Sequence, residues 1–316
     1  MRLCLALLCF SLAAPALAAD PYAEMEELTQ VKDRYTIGPW QGALVGGANC
    51  QLVNTETLQG VEFSLSAARS NPSTTIQLGA TFLHDTTLNS LQIKLDEAEP
   101  VAQPFSVHHS GLFYMPKPEQ LKALAAARFV TYAIGRLDRA TKQLTKVGQV
   151  SFDLRGFDRA YELFSACIDG QMPANLPNEP LEEGDPRTVA GAPNWDVIDL
   201  TFDGKPYSRL ANLKDTGDFA LGLWVHNRAQ YVLNLTSYKD MPELDRIKAA
   251  QLTLDDKDKM VLPVATQPDG LLITLPLSGV QKIAKAGQLK IESGAIKAEF
   301  TITNFAAVAQ AIQLKE

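Results

Sequence analysis

His108 and His109 stand side by side in the chain. Imidazole is the commonest metal ligand and the side chain best suited to proton transfer near neutral pH. On a strand, however, neighbouring side chains point to opposite faces, so this pair does not readily share one ion. No H-x-H or H-E-x-x-H spacing accompanies it. His84 and His226 have no cysteine or carboxylate neighbour beyond Asp85. The run Asp255-Asp256-Lys257-Asp258-Lys259 is rich in acids, but its lysines and missing glycine register fit a solvated turn better than a calcium loop. No G-x-S-x-G, phosphate-binding glycine loop or dinucleotide fingerprint occurs. Glu26-Glu27 and Glu182-Glu183 lie where charge is solvated, not where a buried acid would acquire a raised pKa. No catalytic residue, metal or cofactor is expected. Trp40, Trp195 and Trp224 offer indole faces that could stack on a sugar, the competing reading being that each is a packing residue.

The cysteines are read through the N-terminus. Arg2 precedes an uncharged apolar stretch, Leu3 to Leu17, and Ala16-Leu17-Ala18 supplies small residues for cleavage. This is the pattern of a secretory signal peptide over residues 1–19, too short for the ~20 residues of a membrane span. Cleavage would remove Cys4 and Cys9 and leave Cys50 and Cys167, an even pair in an oxidising compartment. A Cys50–Cys167 disulfide is expected, with no transmembrane segment after cleavage.

The 316 residues are 46% apolar and 21% charged, a composition that suits globular domains and neither a disordered chain nor a multi-span membrane protein. The formal charge of -7 becomes -8 when the leader takes one arginine and no acid with it. That balance argues against a nucleic-acid partner, whose ligands carry a basic footprint.

Residues 169–194 hold five prolines and three glycines and read as an irregular linker. They separate a first unit, residues 20–168, from a second, residues 195–316. The units resemble each other. The stretch from Leu91 aligns without gaps on the stretch from Ala250, pairing Leu95, Asp96, Pro104 and Gly111 with Leu254, Asp255, Pro263 and Gly270. A second register pairs Phe152–Phe157 with Phe300–Phe305. One insertion reconciles the two registers: a long polar connection over Gly135 to Gly148 replaces a tight turn at Ser293-Gly294.

Each copy carries alternating strands, a short helix, a strand pair and a closing helix. Pro118 suits the first position of the short helix in the first copy. Ser278 with Gln281 predicts a capping box in the second, and Gly287 a left-handed helix end. The closing helices show apolar residues at helical spacing from Phe157 and from Phe305. Gly156 and Asn304 precede them as structural corners, both residue types that tolerate positive φ. With cysteine only in the first copy, the second closing helix is expected to hold by packing alone. The expected class is α+β: two related antiparallel sheet domains, a tandem duplication, each closed by short helices. Residues 20–32 read as a short amphipathic helix or loosely held leader segment.

The segment FYMPKPEQLKALAAARFVTYAIG and the later GQVSFDLRGFDRAYELFSAC resemble the invasion-associated locus B proteins of Gram-negative bacteria. The shared features are a helix before a strand pair and a Gly-Phe corner opening a terminal helix, here Gly156-Phe157. The resemblance spans Phe113 to Cys167 and implies a periplasmic or secreted β-rich domain with no catalytic motif. The chain departs from it in being a two-domain repeat with one cysteine pair. Together these features predict a periplasmic, non-enzymatic binding or accessory protein for an envelope protein or complex. The alternative is a carbohydrate-binding protein or hydrolase with its cleft between the domains.

Overall fold

The computed structural model describes residues 31–55, 61–79, 83, 87–109, 111–138, 140–141, 144–214, 217–226, 230–238, 247, 249–267 and 270–313. Residues 1–19, expected above to be a signal peptide, most of the segment from 20 to 32, and His84 lie outside the described residues.

The first half opens with an antiparallel meander of β1 (Val31–Gly38), β2 (Trp40–Val45), β3 (Asn49–Asn54), β4 (Glu62–Ala68) and β5 (Asn71–Gly79). The chain continues through β6 (Ser90–Leu95), β7 (Val101–Ala102), β8 (Ser106–His108), β9 (Gly111–Tyr114) and helix α1 (Pro118–Ala126). It ends with β10 (Phe129–Leu137), β11 (Leu144–Asp153) and helix α2 (Phe157–Ile168). Strands β9 and β8 extend the meander, while β11-β10-β6-β7 form a second sheet. The two sheets face each other: Phe63 on β4 lies 5.0 Å from Phe152 on β11 and 5.8 Å from Tyr132 on β10. Alternation of apolar and polar residues puts one face of each strand in this core.

The link between the halves is not wholly irregular. It carries β12 (Asn178–Pro180), which pairs in parallel with β1, and then β13 (Glu182–Glu183) and β14 (Arg187–Val189), which pair with β15 (Ala192–Phe202). Pro180 fits because β12 is a short, exposed strand at a sheet edge, where a missing amide is tolerated, while Pro173, Pro177 and Pro186 lie between strands.

The second half continues with β16 (Lys205–Leu213), β17 (Phe219–His226), β18 (Gln230–Ser237), β19 (Ala249–Leu254), β20 (Asp258–Gln267) and β21 (Gly270–Leu275). Helix α3 (Leu277–Ile283), β22 (Gln288–Ser293), β23 (Ile296–Thr301) and helix α4 (Phe305–Ala311) complete it. Here the continuous β20 pairs with β19 through its first part and with β21 through its last, joining all these strands into one sheet path. The result is a β-rich α+β fold with four helices among the described residues.

Strand registers recur between the halves. Leu95 faces Val130 and Leu254 faces Leu289; Phe129 faces Asp153 and Gln288 faces Thr301. Asp96 and Asp255 both take φ of 46°. The Asp96 carboxylate accepts the Arg128 and Phe129 amides, and that of Asp255 accepts the Gly287 and Gln288 amides. Gly111 and Gly270 are equally matched. A Cβ on either would stand 2.2 Å from the Leu78 carbonyl or 2.1 Å from the Leu235 carbonyl, so only glycine allows the strands to approach.

Three local expectations need correction. Pro276, not Ser278, caps α3, with no side-chain hydrogen bond, because Leu277-Ser278 already lies within the helix. Gly287 does not take positive φ; its amide is drawn to Asp255 instead of closing the helix. The polar insertion after Ile134 lengthens the hairpin: β10 runs on to Leu137 against Leu144, with a register shift at Ile134/Gly135 that absorbs the odd residue.

Candidate functional site

The corner residues and two of the tryptophans form one packing unit in each half. Gly156 takes φ of 75° and turns the chain into α2. Phe157 then packs on Trp40, ring centroids 4.8 Å apart, and the Trp40 indole donates to the Arg155 carbonyl at 3.1 Å. In the second half Asn304 takes φ of 65°, and Phe305 meets Trp195 edge-on at 5.7 Å. Trp40 and Trp195 are 0% exposed, so neither presents a face to a sugar. Trp224 is half-buried and packs against Val232, Ala265 and Leu272, apart from the main core of its half.

Cys50 and Cys167 are bonded, S–S 2.00 Å, with Cα atoms 6.0 Å apart. The bond ties β3 to the end of α2, where the Arg69 Nε also donates to the Cys167 carbonyl at 2.8 Å. The closing helix of the second half is not held by packing alone. The Arg209 guanidinium donates to the Gln313 carbonyl just beyond α4 and to the Asp199 carboxylate. Burial raises the Asp199 pKa, but the hydrogen bonds and charges of Arg209 and Arg187 outweigh it and leave the group below the ordinary carboxylate range.

His108 ends β8, exposed, with its ring 5.3 Å from Phe113; His109 is exposed just beyond. His226 is fully buried on β17 beside Tyr207, centroids 5.1 Å apart. Burial, helped by the Arg155 charge, pushes its pKa down to about 3, so the ring is neutral at physiological pH. No group of three His, Cys, Asp or Glu among the described residues is placed to hold a metal.

Arg155 joins the halves. It pairs with the buried Asp153 at 2.7 Å, donates to the Pro206 and Tyr207 carbonyls at 2.6 and 3.1 Å, and lies 4.6 Å over the Tyr207 ring. Phe202 and Tyr207 of the second half are thereby buried in the core of the first. A planar guanidinium with five donors suits this role, since it satisfies a carboxylate and two carbonyls while stacking on an aromatic ring. These polar groups are spent on holding the fold together.

An apolar pocket of about 290 Å³ lies between α1 and the β6–β7 pair. Ile93 and Leu95 on β6, Val101 on β7 and Leu124 on α1 form its walls, with Tyr114 among its lining residues. The Tyr114 and Tyr132 hydroxyls hydrogen-bond to each other at 2.8 Å, and burial pushes both pKa values well above the ordinary phenol range. Glu99 and Glu119 stand exposed on the rim. Pro118 starts α1 where its absent amide costs nothing, and the Lys117 amide donates to the Gln120 side chain at 2.7 Å, fixing the helix over the pocket. Gln120 also bonds Gln103, which lines a shallower, more polar hollow on the neighbouring side. The sequence reading passed over this pocket and the Arg155 clamp. The available signal for the pocket was a size difference at one pair of aligned positions, Val101 against Met260.

No protein-family model matches the chain, and no curated protein matches it. Among solved structures, the crystal structure of S. aureus TarS aligns at 9% identity with a TM-score of 0.18. That alignment covers 87% of this chain and 45% of the other, so the chain spans less than half of that protein's length. No helix among the described residues is long and apolar enough to cross a membrane.

Proposed function

We propose that this chain is an exported, non-enzymatic binding protein of the bacterial envelope, built from a duplicated β-rich module and serving an envelope protein or complex. One observation carries the binding reading. The pocket is walled by apolar side chains, and the hydroxyl of Tyr114 in its lining is tied to that of Tyr132, so it offers contact area to a ligand, with carboxylates only at the rim. The matched registers around Leu95–Val130 and Leu254–Leu289 support duplication, since unrelated domains have no reason to repeat both pairing and the aspartate brace. The leader-like N-terminus and the disulfide support export to an oxidising compartment, the periplasm of a Gram-negative cell on the locus B resemblance. The carbohydrate reading is disfavoured by the burial of Trp40 and Trp195, which leaves Trp224 alone of the three candidate stackers partly accessible.

The test is affinity purification of the full-length protein from gently crosslinked envelopes. A stoichiometric partner whose recovery weakens when one module is disrupted is the expected result. Recovery of the protein alone overturns the proposal.

A further inference from the structure

The two halves provide an internal comparison at the pocket. Ile93 and Leu95, half-buried in the first half, correspond by register to Leu252 and Leu254, which are 0% and 3% exposed. Val101 faces Ile93, and Met260 faces Leu252, at the same place on the strand pair. Val101 is 59% exposed and leaves the space beneath α1 open. Met260 instead packs into its own core, with its sulfur 3.7 Å from where a Cβ on Gly279 of α3 would stand. One half therefore fills with its own thioether chain the space that the other leaves empty.

We infer that the pocket of the first half receives an unbranched apolar side chain, of methionine size, from a partner protein segment flanked by basic residues. Met260 shows the shape that fits: a flexible chain entering from a strand and lying against the helix. The rim gives the charge. Glu99 and Glu119 both line the opening, and no lysine or arginine is among the lining residues. Carboxylates there favour lysine or arginine beside the inserted residue and oppose a fatty acid, whose own carboxylate would meet like charge at the mouth. The inference deepens the proposed function and rests on it, because it names what kind of partner segment the module takes.

The experiment uses the mature full-length protein and fluorescein-labelled peptides, read by anisotropy at low salt. Lys-Lys-Leu-Met-Leu-Lys-Lys is expected to bind at least about tenfold more tightly than Glu-Glu-Leu-Met-Leu-Glu-Glu, a factor equal to ~1.4 kcal/mol. Val101→Met, which copies the second half, should weaken the basic peptide about tenfold or more by filling the pocket. Glu99→Lys with Glu119→Lys should reverse the preference between the two peptides, a readout that misfolding would not give. Undiminished binding by Val101→Met overturns the site. Dodecanoate binding more tightly than the basic peptide overturns the peptide assignment in favour of lipid. Failure to bind either peptide, with an envelope partner still captured, overturns this inference and leaves the proposed function standing; failure of both overturns both.

Discussion

Arg209 stands in the second half where Cys50 stands in the first. Cys50 faces Leu44, four residues after Trp40, and Arg209 faces Asp199, four residues after Trp195. Each ties its strand to the closing helix, Cys50 by a covalent bond to Cys167 and Arg209 by a hydrogen bond to the Gln313 carbonyl. Two chemistries thus meet one mechanical need.

The two ties should fail under different conditions. Replacing Cys50 and Cys167 together by serine frees a sequence separation of 117 residues and should cost about 5 kcal/mol in the chain-entropy account. Arg209→Ala should cost about 1 kcal/mol, because the guanidinium is partly exposed and its pairing is screened. Urea unfolding with and without reductant separates them: reductant should shift the wild type and the Arg209 variant, and leave the serine double variant unchanged. The Asp199 contribution has the sign of a depressed carboxylate. It is present above the ordinary carboxylate pKa of about 3.9 and is lost as pH falls from there through the lower folded value.

His226 should make the protein acid-sensitive at milder pH. Its folded pKa of about 3 lies below the ordinary imidazole value of 6.5, so the unfolded chain binds a proton that the folded chain refuses. Stability should be greatest above that ordinary value and decline as pH falls from about 6.5 toward 3. His226→Leu should flatten this part of the curve of unfolding midpoint against pH. An unchanged slope would show that the ring is not the titrating group.

The aspartate brace should be specific to the side chain and to the backbone shape together. At φ of 46°, Asp255 adopts a conformation that asparagine tolerates and alanine resists, while its carboxylate holds two amides. Asp255→Ala should cost about 1 kcal/mol and Asp255→Asn less. Asp96 should give the same order. Chemical denaturation of the four single variants checks both the order and the equivalence of the two sites.

Met260→Val should open in the second half the space that the first leaves open. Loss of a packed thioether chain is expected to cost about 1–2 kcal/mol, since the surrounding strands and α3 relax only in part. The converse change, Val101→Met, should be neutral or slightly stabilising, because the space it enters already exists. Thermal melts of both variants test the pair; a destabilised Val101→Met protein would mean that the two sites differ in more than this residue.

Much of the fold was legible in the chain because its signals are local. Alternation at Leu91, Ile93 and Leu95 marks β6, and the spacing of Phe157, Ala160, Tyr161 and Phe164 marks α2. Gly156 and Asn304 announce positive φ by residue type together with their place just before an apolar helical run. The disulfide was legible by arithmetic once Cys4 and Cys9 were set aside with the leader-like N-terminal segment, which left one pair. The linker misled because proline and glycine report a broken local period, and edge pairing by β12, β13 and β14 depends on strands far away in the chain.

The sequence by itself determined the strand and helix periods and the cysteine pair, since each depends on residue type and spacing along the chain. Only the tertiary structure decided what Arg155, Arg209, His226 and Val101 do. Arg155 meets Tyr207 across 52 positions and Arg209 meets Gln313 across 104. A guanidinium clamps, an imidazole stays neutral and a valine leaves a pocket according to which distant atoms surround it. Those surroundings exist only once the sheets have packed.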